Sequence, residues 1–419
     1  MLIEAITQTT EGHTYILTGN DDLHVGVGVV VRSTLTDAIT TWTGTHTFTV
    51  DGTIIGEDEC INTIGTDTAQ TVIINAGAQL TSGGDGVVND ADGVILDGVG
   101  STMTNAGQIN SYGSCASVFV RDAGTTTVSN SGVMVGRVAG IWHKFGTGIF
   151  IINNTGTIES PNNAILGGAS ADIVTNSGIM TGTVDLAGGN DILNNRAGTI
   201  IGAIFGGDGN DRFVLGATAE NIDGGAGFDT LDVSSYTMGV TINLADATAN
   251  FGIAAFGDTF AGIESILGTT RADVLVGDAG DNLFFGNGSI DKLFGGAGAD
   301  TLDGGARMDT LTGGDGADMF QFRAPTTMND RITDFTVGDD HILLEGSAFG
   351  YGDATGAVSA DDFILRATRL ALDATDRFIF RTTDHSLWYD ADGVGGRGSV
   401  AIAYFQNGVT LSAADLILI

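Results

Sequence analysis

A run of nonapeptides in unbroken register constrains this chain more than any other feature. From Gly268 a glycine returns every nine residues, at Gly277, Gly286, Gly295, Gly304 and Gly313. The sixth place of each block reads Asp273, Asn282, Asp291, Asp300, Asp309 and Asp318. The eighth reads Leu275, Phe284, Leu293, Leu302, Leu311 and Phe320. The pattern is G-G-x-G-x-D-x-U-x, where U is a large apolar residue, and residues 295–303 state it in full. Two earlier copies begin at Gly206 and Gly224, two nonads apart, and a shortened one occupies 187–193. A short fixed period of this kind specifies a solenoid, because each repeat can bury its apolar face only against its neighbours.

The spacing dictates the chemistry. Each nonad reads as a glycine-rich turn followed by a three-residue strand whose apolar residue points into a narrow core. Two nonads make one rung, and rungs stack at about 4.8 Å as in any sheet. Asp then stands directly over Asp two repeats earlier, and stacked carboxylates repel unless a cation lies between them. Calcium suits that gap, since it takes 6–8 oxygen ligands and tight Gly turns can aim backbone carbonyls inward. The expected metal residues are Gly206, Asp208, Asp211, Gly224, Asp229, Asp273, Gly277, Asn282, Gly286, Asp291, Gly295, Gly296, Gly298, Asp300, Gly304, Asp309, Gly313, Asp315 and Asp318, holding several ions. Asn282 and Arg307 depart from the pattern, and Arg307 takes a place where a left-handed backbone favours glycine.

Composition narrows the alternatives. Among 419 residues there are 66 Gly and 2 Pro, so the chain is not collagen-like, and 42% apolar residues argue against disorder. Acidic residues number 51 against 16 basic, a formal charge of −35, which repels nucleic acid and anionic lipid. The acids are 43 Asp and 8 Glu, and the only lysines are Lys144 and Lys292. Asp with Gly builds turns, whereas helices favour Glu and Lys, so the chain should be nearly all β. No run of 18 apolar residues exists, so no membrane span is expected. The opening Met1-Leu2-Ile3-Glu4-Ala5 lacks the basic and apolar regions of a conventional signal peptide. Cys60 and Cys115 are too few for a disulfide scaffold, and both pairing and separate buried thiols stay open.

The nonads resemble the RTX (haemolysin-type) calcium-binding repeat family, which implies a parallel β-roll with calcium between adjacent turns. Downstream, Asn329-Asp330-Arg331-Ile332-Thr333-Asp334-Phe335 and Gly338-Asp339-Asp340-His341-Ile342-Leu343 look like the segment closing the β-roll of serralysin-type proteases. Trp388-Tyr389-Asp390-Ala391-Asp392-Gly393 recurs there too. Asp390 and Asp392 do not make an EF-hand, because Val394 takes the third ligand place. The ending Asp415-Leu416-Ile417-Leu418-Ile419 is similar to the uncleaved export signal of type I secretion substrates, and it also reads as a terminal edge strand.

Residues 60–200 repeat differently. Asn or Asp, then Gly, then an apolar strand recurs at Asn75, Asp90, Asn105, Asn130, Asn154, Asn176 and Asn195. Later spacings match one rung of a parallel β-helix, with Asn able to stack as an amide ladder. This half resembles the β-helical passengers of bacterial surface proteins. The expected architecture is all-β: a parallel β-helix continuing into a calcium-binding parallel β-roll, as one rod with capped ends. Its segments are a 1–55 cap or self-association segment, a 56–204 β-helix, a 205–322 calcium roll, and a 323–419 cap with the secretion signal.

Catalytic motifs are absent. None of His13, His24, His46, His143, His341 and His385 forms H-E-x-x-H, and there is no G-x-S-x-G or P-loop. Trp142, His143 and Lys144, with Arg121, Asp122 and Arg137 nearby, form one basic and aromatic cluster that an anionic sugar would fit. The expected function is therefore a non-enzymatic, secreted, calcium-folded extracellular structural protein. It would self-assemble as a surface layer, matrix fibre or adhesin, partnered by its own copies, type I secretion machinery and cell-surface polysaccharide. The alternative is a polysaccharide lyase or epimerase acting on the β-helix face. A toxin or protease relative stripped of its effector domain ranks third.

Overall fold

Short strands and tight turns make up nearly all the regular structure. The computed structural model describes residues 1–12, 14–63, 68–83, 91–113, 116–121, 124–143, 147–216, 218–252, 257–325, 329–394 and 398–419. Among these, helix is confined to three single-turn 3-10 segments, and the chain is nearly all β. It divides into two compact units, Met1–Asp229 with Thr259–Gly262, and Thr230–Asp258 with Ile263–Ile419.

The first unit is a parallel β-helix with three strands per rung. One face climbs from Leu2–Glu4 through Asp22–Val25, Thr47–Val50 and Thr71–Ile74 to Ile192–Asn194 and Arg212–Val214, every pairing parallel. A second face begins at Gln8–Thr10 and Val30–Ser33, and a third at Tyr15–Leu17 and Ile39–Thr41. The long strands Thr157–Leu166 and Ile179–Asp185 bend round the corner and serve both. Residues 2–56, read from sequence as a cap, thus supply rungs of the same kind.

Period-2 alternation turns alternate residues of the first-face strands into the core, from Asp22–Val25 onward. Leu23, Phe48, Val72, Met103, Val128, Ile152, Val174, Leu193 and Phe213 lie in register, all buried. Each such side chain contributes about 1.5–3 kcal/mol of hydrophobic stabilisation. At the corner after this face the amide ladder forms. The Nδ2 of Asn105 donates to Asn130, Asn130 to Asn154, Asn154 to Asn176 and Asn176 to Asn195, at 2.8, 2.8, 2.8 and 2.7 Å. Asn195 then donates to the Glu220 carboxylate. Asn75 lies outside this ladder. Ile74, not Asn75, pairs with Asn105, because the turn 75–78 is longer than the turn 106–107, and Asn75 bonds Asp51 instead. Asp90 lies outside the described residues.

The second unit is a two-faced roll. Thr230–Asp232, Ser265–Leu267, Leu283–Phe285, Thr301–Asp303, Met319–Phe322 and His341–Leu344 stack on one face. Thr241–Asn243, Val274–Val276, Lys292–Ala297, Thr310–Asp315 and Asp330–Ile332 stack on the other. Every eighth-place residue named above, from Leu275 to Phe320, is fully buried between the faces. The strand Leu416–Leu418 joins the first face, parallel to His341–Leu344. Ser386–Tyr389 and Phe378–Arg381 extend the second face as antiparallel strands. Cys60 is a free buried thiol that burial pushes up to about 12, while Cys115 lies outside the described residues.

Candidate metal centre

The constant rung length places the aspartates in columns. In the second unit the backbone N–H of Asp273 donates to Oδ1 of Asp291, Asp291 to Asp309, and Asp309 to Asp330, at 2.7, 2.7 and 2.9 Å. A second column runs Asn282 to Asp300 to Asp318 to Asp340, at 2.8, 3.0 and 2.9 Å. In the first unit Asp172 donates to Asp191, Asp191 to Asp211 and Asp211 to Asp229, at 2.7, 2.8 and 2.7 Å. Except at Asp172, which heads its column and only donates, one carboxylate oxygen of each Asp is therefore fixed by the neighbouring rung.

The other oxygen distinguishes two kinds of turn. Oδ2 of Asp191, Asp211, Asp291, Asp300, Asp309 and Asp318 is buried and has no hydrogen-bond partner. In each of these turns the second and fourth places carry left-handed backbone, as at Gly296 (φ 120°) and Gly298 (φ 115°). Arg307 adopts that conformation despite its side chain, at φ 94°, with Gly305 at 87°. The turns at Gly268 and Gly277 lack the left-handed pair. There Asp273 Oδ2 accepts the N–H of Thr269 at 2.6 Å, and Asn282 Oδ1 accepts that of Asp278 at 3.0 Å. These two turns close on themselves.

First-place glycines leave room beside the unpartnered oxygens. A Cβ on Gly286 would lie 2.8 Å from Asp291 Oδ2 and 2.7 Å from the carbonyl oxygen of Gly304 in the next turn. The same two kinds of oxygen flank Gly206 and Gly295, and Gly224 meets Asp229 Oδ2 and the Gly262 carbonyl. At Gly304 and Gly313 the carboxylates of Asp309 and Asp318 border the space. The donors are all oxygen, carboxylate and carbonyl, the set a hard cation such as Ca²⁺ takes. Asp208 and Asp315 stand at the third place of their turns with exposed side chains.

Burial sets the electrostatics. It pushes Asp191, Asp291 and Asp330 from an ordinary 3.8 up to about 8, Asp300 and Asp309 to about 7, and Asp318 to about 6. Neighbouring acids add to the rise. A buried carboxylate without a partner or counter-charge is costly, so these columns fit a bound cation and fit poorly without one. The family described as "RTX calcium-binding nonapeptide repeat (4 copies)" matches residues 203–231, 258–293 and 294–321.

The chain carries RTX calcium-binding repeats.

No curated protein is significantly similar to it. Among solved structures, the extracellular lipase LipA from Serratia marcescens is similar at 15% identity, over 71% of this chain and 45% of the lipase, with a TM-score of 0.17. The match spans less than half of that lipase and is too loose to bear on fold or activity.

The RTX columns include residues that the nonad register alone does not pick out. Asp172, Asp330 and Asp340 occupy column places with the D-x-U end of the motif and few or none of its glycines, as in Asp330-Arg331-Ile332, and Asp191 belongs to the shortened copy at 187–193. A separate group, Asp37, Asp58 and Glu59, brings carboxylate oxygens within 4.8 Å of one another. It relieves its charge differently: burial and Asp37 push Glu59 up to about 11, so it keeps its proton, and Asp37 accepts from Thr40 and Asn62. Of the basic cluster near Trp142, His143 is buried with its Nδ1 3.3 Å from Asp172, and Arg121 stacks on Phe119. Lys144 and Asp122 lie outside the described residues.

Proposed function

We propose that this chain is a secreted, non-enzymatic structural protein of the cell exterior, folded by calcium and assembling with its own copies into a surface layer, matrix fibre or adhesin. The carrying observation is the set of buried carboxylate oxygens left without partners in successive RTX turns. Bound calcium supplies the positive charge that lets these carboxylates stay ionised and buried. The chain's own part is to hold them: backbone N–H groups fix Oδ1, left-handed turns bring the rungs close, and glycines keep the space open. Because the columns exist only in the folded state, cation affinity adds to folding stability. Extracellular modules bind calcium at roughly 10⁻⁴–10⁻³ M, so such a chain stays unfolded in a low-calcium cytosol and folds outside.

Assembly has separate support. Among the described residues the strand Leu2–Glu4 pairs on one side only, with Asp22–Val25, and Met1, Leu2, Ile6, Ile16, Val27 and Trp42 are exposed nearby in sequence. An unpaired edge with apolar surroundings invites strand addition from another copy. Of the basic cluster on which the sugar-enzyme alternative rests, His143 is buried.

Two experiments test the reading. Circular dichroism of metal-stripped chain titrated with calcium should show cooperative folding, and replacing Asp300 and Asp318 with Asn should raise the midpoint about tenfold. An unchanged midpoint sinks the metal assignment. Electron microscopy before and after millimolar calcium should show filaments or sheets only with the ion. Isolated particles would leave calcium folding standing and remove the assembly role.

A further inference from the structure

We infer that the calcium column of the first unit begins one turn before the matched repeats, in a site between turns 186–191 and 206–211 with the Asp191 and Asp211 carboxylates as ligands. The inference rests on the calcium reading of the RTX turns and extends it into the three-sided β-helix. Turn 186–191 lies outside the matched residues, with Leu186 and Ala187 where the motif has two glycines. Its geometry is nevertheless that of the open turns. Ala187 (φ 69°) and Gly189 (φ 128°) form the left-handed pair, matching Gly207 (φ 108°) and Gly209 (φ 128°) one rung on. Left-handed backbone at alanine is strained, costing about 1–2 kcal/mol, so the turn is held there by its surroundings.

The two turns are clamped in register. Asp208 N–H donates to the Ala187 carbonyl at 2.9 Å, Gly189 N–H to the Asp208 carbonyl at 2.8 Å, and Gly188 and Asp208 form a parallel bridge. Asp191 is 1% exposed; its Oδ1 accepts the Asp172 N–H, and its Oδ2 has no partner. Asp211 Oδ2 is likewise buried and unpartnered. One rung below, the column changes character. Turn 167–172 has no left-handed residue, and where another turn would offer a backbone N–H, His143 places its Nδ1 3.3 Å from Asp172 Oδ1. Asp172 also keeps both carboxylate oxygens buried without a hydrogen-bond partner, but its turn lacks the left-handed pair, so turn 186–191 is the first of the open kind. Calcium then stabilises a rung of the β-helix as well as the roll.

Asp191→Asn keeps the Oδ1 acceptor and removes the ionised Oδ2. Native mass spectrometry of the full chain should count one calcium fewer in Asp191→Asn than in wild type, with Asp291→Asn as the control within the matched repeats. A count unchanged by Asp191→Asn but lowered by Asp291→Asn overturns this inference and leaves the RTX reading intact. A wild-type chain that holds no calcium overturns both. Should Asp191→Asn not fold, wild-type crystals soaked in terbium decide: an anomalous peak between Asp191 and Asp211 supports the site. Peaks at turns 286–318 with none there overturn it.

Discussion

Stripped of metal, the folded chain should be most stable in mild acid and lose its stability as pH rises to neutrality. Asp291, Asp300, Asp309, Asp318 and Asp330 titrate near 8, 7, 7, 6 and 8 in the folded second unit, against an ordinary 3.8 when exposed. A group whose folded value lies above its unfolded value contributes stability that is complete below the unfolded value and is lost as pH climbs through the folded one. Between about pH 4.5 and 6 the folded state therefore holds roughly five more protons than the unfolded chain. Each proton is worth about 1.4 kcal/mol per pH unit, so five give about 7 kcal/mol per pH unit. Solvent near the turns screens the coupling, and taking half leaves about 3.5 kcal/mol per pH unit. Two to three pH units then remove about 7–10 kcal/mol, enough to unfold a unit in the lower half of the usual range of about 5–15 kcal/mol.

Calcium flattens the slope. Protons and cation compete for the same carboxylates, so in saturating calcium the folded columns hold few protons and stability should stay nearly level from pH 5 to pH 8, while calcium binding to the metal-free folded chain at pH 7 should release protons. The assay is urea unfolding followed by circular dichroism, at pH 5, 6, 7 and 8, on protein stripped of metal by resin and again in 10 mM calcium (a concentration about tenfold above the weakest extracellular sites). Metal-free stability that stays level or increases with pH over this range would refute the reasoning, since the column carboxylates would then have other neutralising partners.

Other perturbations separate the parts of the fold. Gly295→Ala puts a Cβ against Asp300 Oδ2 and the Gly313 carbonyl; it should cost about 1–3 kcal/mol with or without calcium, measured by thermal melting, and raise the calcium needed for folding. Arg307→Gly relieves left-handed strain at φ 94° and should raise stability by about 1 kcal/mol; a lower melting temperature would show that the arginine side chain matters more than the backbone. Asn154→Ala leaves Asn130 Nδ2 and Asn176 Oδ1 without their 2.8 Å partners; it should destabilise by about 2–4 kcal/mol, equally with and without calcium, because buried amides pay for lost partners whatever the metal.

The sequence conveyed the roll well because its period does not vary. With 18 residues per rung, Asp291, Asp300 and Asp309 must stack on their counterparts, and Leu293, Leu302 and Phe320 must turn inward. The β-helix was harder to read because its rungs vary: the ladder links span 25, 24, 22 and 19 residues. A lengthened turn therefore takes Asn75 out of the ladder with no mark in its Asn-x-Gly motif. Composition also misjudges direction. Asp208 and Asp315 count as acids in a metal motif, yet their side chains stand in solvent at the third place.

What periodicity cannot convey is which atom is left without a partner. Asp273 and Asp291 occupy equivalent places in the same motif and both accept an N–H from the rung below. They differ in what Thr269 does: its N–H donates to the second oxygen of Asp273 and its hydroxyl to the first, whereas the second oxygen of Asp291 has no partner. The difference originates at the second and fourth places, where Thr269 and Arg271 lie outside the left-handed region while Asn287 and Ser289 enter it, at φ 69° and 91°. Neither residue of the second pair is glycine, so a motif that looks for glycine ranks the two turns alike. Ala187 makes the same point in the β-helix. The capacity to hold a cation thus follows the backbone conformation that neighbouring rungs impose, and Asp191 can join the column though half its motif is missing.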